Sequence, residues 1–264
     1  MPELPEVEYA ASQLRDRILG QTVQRVLVSH AAQARHLTEA DREAIAGRRL
    51  DRVERRAKVQ LLHLGGGVLE VHFRMTGDWA FTAVGDPTPR FERVALETDR
   101  GVRVSLVDSR ALSVVRWHAP GTYKGPDAGP EPLTEDFTVE AFREAISRRR
   151  GPIKPVLLDQ RVVAGVGNIY ASEALWEAGI HPAAVANTLG TRRLTRLRDA
   201  IRTVLITAPD ARYFERDTPD DEELDRRWRV YGRDGRPCRR CGSAIRRLVQ
   251  AGRSTYCCPG CQRR

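Results

Sequence analysis

Proline stands second in this chain, and glutamates follow at positions 3 and 6, so chemistry is available at the amino end itself. Removing Met1 would leave Pro2 with a free secondary amine. A terminal amine is far less basic than lysine, so a neutral, nucleophilic fraction exists near pH 7. A secondary amine attacking a sugar C1′ forms an iminium ion, and Glu3 beside it could serve as general acid. The same residues have a plainer use. Proline and glutamate are favoured in the first turn of a helix, through fixed φ and through the helix dipole.

The second chemical signal lies at the other end. Cys238, Cys241, Cys258 and Cys261 stand as two CxxC pairs with sixteen residues between them. Four thiolates at that spacing suit one tetrahedral, structural zinc ion; the competing reading is a pair of disulfides. So short a module has little core, and the metal would hold it folded. Cys257 is left over. Neighbours on a strand face opposite sides, so Cys257 and Cys258 should not both reach the metal, and the spacing favours Cys258. Gly242 and Gly260 fit tight ligand knuckles. Between the pairs, Gly252-Arg253 reads as a hairpin tip carrying a cation, which suits either a phosphate contact or a solvated turn.

A third signal is Gly165-Val166-Gly167-Asn168-Ile169-Tyr170 ahead of a helix. Tyr170 occupies the third glycine position of a dinucleotide fingerprint, which excludes that reading. A turn with Asn168 at a helix start offers N–H donors to a phosphate, or serves as a plain N-cap. Lys154 upstream could converge on the same anion. Only three of the 44 basic residues are lysine: Lys58, Lys124 and Lys154. Lysine can lose its proton where arginine effectively cannot, so these positions are candidates for chemistry as well as survivors of an arginine-rich composition.

The elements that must position these residues follow from periodicity. Leu4, Val7, Ala11, Leu14 and Ile18 recur at helical spacing, predicting a helix over 3–18. Short β-like runs follow at Val23–Val28, Val59–Leu64, Val68–Phe73, Val94–Thr98, Val102–Val107 and Leu112–Trp117. Residues 119–136 are rich in proline and glycine, a linker composition. Helical patterns then appear at Val139–Arg148, Pro155–Asp159, Tyr170–Ala178 and Thr191–Thr207. The expected organisation is a β-rich domain over 1–118, a linker over 119–136, a helical domain over 137–230 and a metal tail over 231–264, with a cleft between domains as a natural ligand site.

Charge points to the partner. Across the 264 residues the net charge is +9 and the pI near 9.8, and the 39 residues from Arg226 carry twelve arginines against the single acid Asp234. A segregated basic end suits phosphate. No apolar run approaches a membrane span, and no basic-then-apolar leader opens the chain, so a cytoplasmic, nucleoid-associated protein is expected.

Together these parts resemble the formamidopyrimidine-DNA glycosylases, within the larger family that includes endonuclease VIII. The resemblance is carried by the opening Met1-Pro2-Glu3-Leu4-Pro5-Glu6-Val7-Glu8, by Asp159 through Leu175, by Val230-Tyr231-Gly232-Arg233, and by the cysteine pattern ending in Gln262. It spans nearly the whole chain, in order. It implies an α+β multidomain fold: an N-terminal β-sandwich with a leading helix, a helix–two-turn–helix domain and a C-terminal zinc hairpin. It implies a monomer acting on damaged double-stranded DNA, with base excision through a Schiff base and then β- and δ-elimination. By position, Pro2 would be the nucleophile, Glu3 the acid and Lys58 a catalytic lysine on a β-turn, with Glu6 supporting the centre. His72, Lys154, Asn168, Tyr231 and Arg253 would bind phosphate. A base must leave the stack for such chemistry. Met75 would fill the gap and Arg110 would face the orphaned base, with Leu112 beside them. Read without the family, Met75 and Leu112 are ordinary strand core.

Two departures bear on substrate. Leu112 stands where the formamidopyrimidine branch usually has phenylalanine, keeping an apolar wedge but losing a stacking ring. The stretch 208–223 is acidic and glycine-poor where the 8-oxoguanine branch carries a Gly/Ser-rich capping loop. The expected function is removal of oxidised purines such as formamidopyrimidine and 8-oxoguanine. The competing functions are an oxidised-pyrimidine glycosylase and a catalytically silent zinc protein that binds damaged DNA. Pro2, Glu3 and Lys58 together favour the enzyme.

Overall fold

The computed structural model describes residues 1–208 and 226–263, so the acidic stretch singled out above lies outside the described residues apart from Ala208. The chain divides into two compact units, Met1–Pro126 and Asp127–Arg264.

The first unit is a β-sandwich with a leading helix. Helix α1 (Leu4–Ile18) buries Leu4, Val7, Ala10, Ala11, Leu14 and Ile18, the stripe its spacing predicts. One antiparallel sheet runs β1 (Val23–Val28), β6 (Glu92–Thr98), β7 (Val102–Asp108), β5 (Gly77–Ala83). The other runs β2 (Leu50–Arg56), β3 (Val59–Leu64), β4 (Gly67–His72), β8 (Val114–His118). Val26, Leu96, Val104 and Leu106 of the first sheet share one core with Val53, Leu62, Leu69 and Val71 of the second, and α1 adds Leu14 and Ile18. Two short helices, α2 (Ala31–Ala34) and α3 (Glu39–Ile45), lie between β1 and β2.

Strands β2 and β5 and both short helices carry no clear periodic signal in the sequence. β2 buries only Leu50 and Val53 among charged neighbours, and β5 opens on glycine with most of its side chains half-buried. The last strand begins at Val114, so Leu112 lies in the loop before it and not on a strand.

The second unit holds α4 (Val139–Ser147), α5 (Ile153–Leu157), α6 (Asn168–Glu177), α7 (Thr191–Ile206) and the hairpin β9 (Arg246–Gln250), β10 (Arg253–Cys257). Successive turns join α5 to α6. Gln160 knits them: its Nε2 donates to the carbonyls of Leu158 at 3.1 Å and Val166 at 2.9 Å, and its Oε1 accepts from the Gly165 N–H at 2.9 Å. The hairpin pairs Gln250 with Arg253 across Ala251-Gly252, both at positive φ. That is a two-residue primed turn, and it places Arg253 at the tip. Among the described residues no helix is long and apolar enough to cross a membrane.

Candidate active site and DNA-facing elements

All four expected catalytic residues are buried in the first unit, among them Glu3, Glu6 and Lys58. Pro2 lies buried beside them. The Glu3 N–H donates to Glu6 Oε2 at 2.9 Å, so Glu6 fixes how α1 begins. Lys58 reaches the same place from a tight turn between β2 and β3, where Ala57 takes φ 53° and Arg56 pairs with Val59. The terminal amine, that of Met1 next to Pro2, feels Glu3, Glu6 and Lys58. Burial holds its pKa below the ordinary value, Lys58 and Arg110 push the same way, and Glu3 and Glu6 oppose. An amine so placed keeps a larger neutral fraction than an exposed one, with two carboxylates beside it.

His72, at the end of β4, is pushed down to about 4, by burial first and then by the charges of Arg74 and Lys58. It is therefore neutral at physiological pH. Its Nδ1 accepts the Arg74 N–H at 2.9 Å, which puts the remaining ring proton on Nε2 as a donor.

Met75 and Leu112 are 39% and 43% exposed, so neither is core. Each sits on a loop that bends through a left-handed residue other than glycine, Arg74 at φ 58° and Ala111 at φ 52°. Such conformations cost energy and collect at functional loops. Arg110 lies on the second loop. Asp108, buried at the end of β7, ties both loops down. Its Oδ2 accepts the N–H groups of Leu112 and Ser113, each at 2.7 Å, and its Oδ1 accepts the Arg110 N–H at 3.1 Å and the Thr76 hydroxyl. Burial alone would raise the Asp108 pKa, but these bonds outweigh it and hold the carboxyl below the usual aspartate range.

In the second unit the expected phosphate binders lie close to one another. Lys154 is 1% exposed. Its ammonium donates to Asn168 Oδ1 at 2.7 Å, Thr255 Oγ1 at 2.8 Å and the Ser254 carbonyl at 3.0 Å. Asn168 Nδ2 donates to the same carbonyl at 3.0 Å. Lys154 thus pins the hairpin to the start of α6, a different setting from that of a surface phosphate ligand. Asn168 is the first residue of α6; the N-cap is Gly167, one place earlier than the plain capping reading has it. Arg253 is exposed at the hairpin tip. Tyr231 is half-buried, with its ring edge-on to Tyr256 at 5.2 Å between centroids.

Sequence reasoning misses Glu173, the buried acid of α6. Its carboxylate accepts the N–H groups of Arg229 at 2.8 Å and of Val230 and Tyr231, each at 2.9 Å, so it shapes the turn that carries Tyr231. Burial pushes its pKa up, against the pull of those three bonds. The available signal is a lone acid inside the run from Ile169 to Trp176, which carries no other charge. Asp108 is missed as well: most of its bonds are to backbone N–H groups of the following loop, which side-chain pattern does not mark, and its side-chain partner Thr76 lies 32 positions back.

The four cysteines Cys238, Cys241, Cys258 and Cys261 bring their sulfurs within 4.8 Å of one another. Cys238 and Cys261 are 3.8 Å apart, and Cys241 and Cys258 3.4 Å. A tetrahedron with zinc–sulfur bonds of about 2.3 Å has edges of about 3.8 Å, so the set fits one structural zinc ion. The Arg240 and Cys261 N–H groups and the Trp176 indole approach these sulfurs at 3.4 Å, as donors to thiolates do. Gly260 is required, because a Cβ there would lie 2.7 Å from Ser243 Oγ and 3.0 Å from Cys241 Sγ. Cys257 points away, 3.9 Å from His181 Nε2. All five cysteines are unbridged, which excludes the disulfide reading.

Comparison with known proteins matches three segments of the chain to family models. Residues 1–115 match the formamidopyrimidine-DNA glycosylase N-terminal domain, 128–212 the formamidopyrimidine-DNA glycosylase H2TH domain, and 235–264 a zinc finger found in FPG and IleRS. A formamidopyrimidine-DNA glycosylase of Herpetosiphon aurantiacus is 40% identical over 274 residues, covering 99% of this chain and 100% of the relative. One of Rhizorhabdus wittichii is 41% identical over 278 residues, with 100% of both chains covered. Among solved structures, a Lactococcus lactis FPG mutant with DNA containing Fapy-dG superposes with TM-score 0.89 at 29% identity, covering 100% of both chains. MutM in complex with DNA containing carbocyclic 8-oxo-G superposes with TM-score 0.90 at 30% identity, again covering 100% of both.

Proposed function

The chain belongs to the formamidopyrimidine-DNA glycosylase family of DNA base-excision repair enzymes, and from that premise we propose that it removes oxidised purines and then cleaves the strand at the abasic site. The observation that carries this reading is the buried cluster at the start of the chain, where Pro2 lies with Glu3, Glu6 and Lys58 and the Met1 amine feels the charges of Glu3, Glu6, Lys58 and Arg110. With Met1 removed, the amine in that setting belongs to Pro2.

The steps follow from these groups. The neutral Pro2 amine attacks C1′ of the everted nucleotide and passes its proton to Glu3, while the base leaves with the bonding pair from C1′ and takes a proton from solvent. The ring C1′–O4′ bond then opens as Glu3 hands its proton to O4′, leaving an iminium ion between Pro2 and C1′. Loss of a C2′ proton then expels the 3′ phosphate, and a second elimination expels the 5′ phosphate. Hydrolysis of the iminium frees Pro2. Lys58 keeps the amine pKa low and supplies a cation at the reacting sugar. Glu6 holds the Glu3 backbone and so the start of the helix.

The remaining residues serve binding. Neutral His72 offers its Nε2 proton to a phosphate. Arg253, Tyr231 and the start of α6 at Asn168 grip backbone, and such contacts set register without reading sequence. Met75 and Leu112 fill the space the base leaves, and Arg110 faces its former partner. The structural zinc ion of the four cysteines holds the hairpin that presents Arg253.

The test is single-turnover excision of formamidopyrimidine and 8-oxoguanine from duplexes. The mature protein should release both bases. Pro2→Gly, or retention of Met1, should slow release by orders of magnitude while binding of an abasic analogue persists. Full activity in either variant would remove Pro2 from the chemistry.

A further inference from the structure

Met75 and Leu112 occupy two separate loops, one between β4 and β5 and one between β7 and β8. Nothing in the chain order requires them to act together. The contact that joins the loops is a side-chain hydrogen bond: Thr76, next to Met75, donates its hydroxyl to Asp108 Oδ1. The other oxygen of the same carboxylate accepts from the backbone of Leu112 and Ser113.

Asp108 is itself fixed. Its N–H donates to the Phe91 carbonyl at 3.0 Å, and its own carbonyl accepts from Arg93 Nε at 2.7 Å. Gln33 Nε2, fully buried, donates to the Ser113 carbonyl at 3.0 Å from the far side of the second loop. The second loop is therefore anchored on several sides. On the first loop, the Phe73 carbonyl accepts the Gly77 N–H at 3.1 Å, which closes the turn between the buried Phe73 and the start of β5. Gly77 is obligatory in that closure, since a Cβ there would meet the Phe73 carbonyl oxygen at 2.7 Å. The strand ladders bracket both loops, pairing His72 with Val114 and Gly77 with Asp108, and between those brackets the Thr76 hydroxyl ties the first loop to the second.

We propose that Thr76 and Asp108 lock the Met75 loop to the Arg110–Leu112 loop, so that the two apolar tips enter the DNA as one wedge. Both are positioning residues: they act through Met75, Arg110 and Leu112 and touch no reacting atom. This inference rests on the glycosylase reading above. A buried carboxylate that accepts four donors has no spare geometry, so any shift of one loop strains the other. The lock makes eversion cooperative: Met75 is held at the depth at which Arg110 meets the orphaned base.

The test uses Thr76→Val, which keeps the shape of the side chain and removes the hydroxyl, and Thr76→Ser, which restores it. A 2-aminopurine next to the lesion reports base eversion in stopped flow. Thr76→Val should slow the eversion signal by about tenfold, the worth of one hydrogen bond to a charged group. Thr76→Ser should recover most of it. Met75→Ala should also slow eversion, and Thr76→Val added to Met75→Ala should bring no further loss, because the lock then has no tip to position. Eversion by Thr76→Val at the wild-type rate, or strict additivity with Met75→Ala, would overturn the proposal. Borohydride trapping of the wild-type protein on abasic DNA runs in parallel. If that fails, the glycosylase reading is at fault; if it succeeds and Thr76→Val everts normally, the lock is.

Discussion

Replacing Glu173 tests whether one buried carboxylate shapes the turn that presents Tyr231. It accepts three N–H groups, from Arg229, Val230 and Tyr231, at 2.8, 2.9 and 2.9 Å. In Glu173→Gln, the single amide oxygen can stay with Val230 and Tyr231, which already share one carboxylate oxygen. The amide NH2 must then face the Arg229 N–H, donor against donor. A stranded buried donor costs about 1–3 kcal/mol. Loss of the buried charge returns part of what its desolvation cost, so the net should be about 2 kcal/mol. Glu173→Ala strands three donors and leaves a void, and should cost about 3–5 kcal/mol. A 2 kcal/mol loss moves the melting temperature of a domain of this size by about 5 °C.

The assay is calorimetric melting of the full chain beside affinity for DNA holding an abasic analogue. Glu173→Gln should melt about 5 °C lower, bind several-fold more weakly and keep its zinc. If it melted with the wild type and bound equally, the carboxylate would not be what holds the turn.

The terminal amine should set the pH dependence of excision. With the neutral Pro2 amine as the proposed nucleophile, the rate should rise with pH through its pKa and then level; the burial, Lys58 and Arg110 that lower the Met1 amine should place that rise below the ordinary value for a terminal amine. Removing the Lys58 charge should move the rise to higher pH, and Glu6→Gln should move it to lower pH; opposite shifts in single-turnover profiles would contradict the assignment. His72, with its pKa near 4, should contribute no step between pH 5.5 and 8, so His72→Gln should lower affinity without changing the profile's shape. Cys257→Ser should keep metal and DNA binding, and Cys258→Ser should lose both; metal analysis of the two variants decides it. Arg110 is a donor-only fork, so it should favour cytosine opposite the lesion, with formamidopyrimidine cut faster than 8-oxoguanine; faster cutting of thymine glycol, or an unchanged preference in Arg110→Ala, would overturn that.

Much of this site is legible in the sequence, because local spacing encodes it. The two CxxC pairs specify four sulfurs, and the structure brings those four together. The stripe on α1 and the short apolar-rich runs of β1 and β3 are local too, and their boundaries fall where the sequence pattern places them, within a residue. What stays hidden depends on distant partners. Thr76 and Asp108 are 32 positions apart, and Glu173 meets Tyr231 across 58. Each is an acid or hydroxyl in a short segment, with nothing nearby to mark it. Lys154 shows the same limit: it stands out as a rare lysine, but only the fold shows that its ammonium meets Ser254 and Thr255, a hundred residues on. Met75 and Leu112 read as strand core by pattern, and their exposure on loops appears only once the strands have ends.

The central claim is that the amine of Pro2 forms the covalent bond to DNA. The most direct measurement is borohydride reduction of the mature protein with lesion-bearing duplex, followed by mass spectrometry of the peptide that carries the sugar remnant. The account predicts a single modified peptide beginning at Pro2, with the added mass on its terminal nitrogen. A remnant on Lys58 in the unaltered protein, or no trapped species while the base is still released, would contradict it.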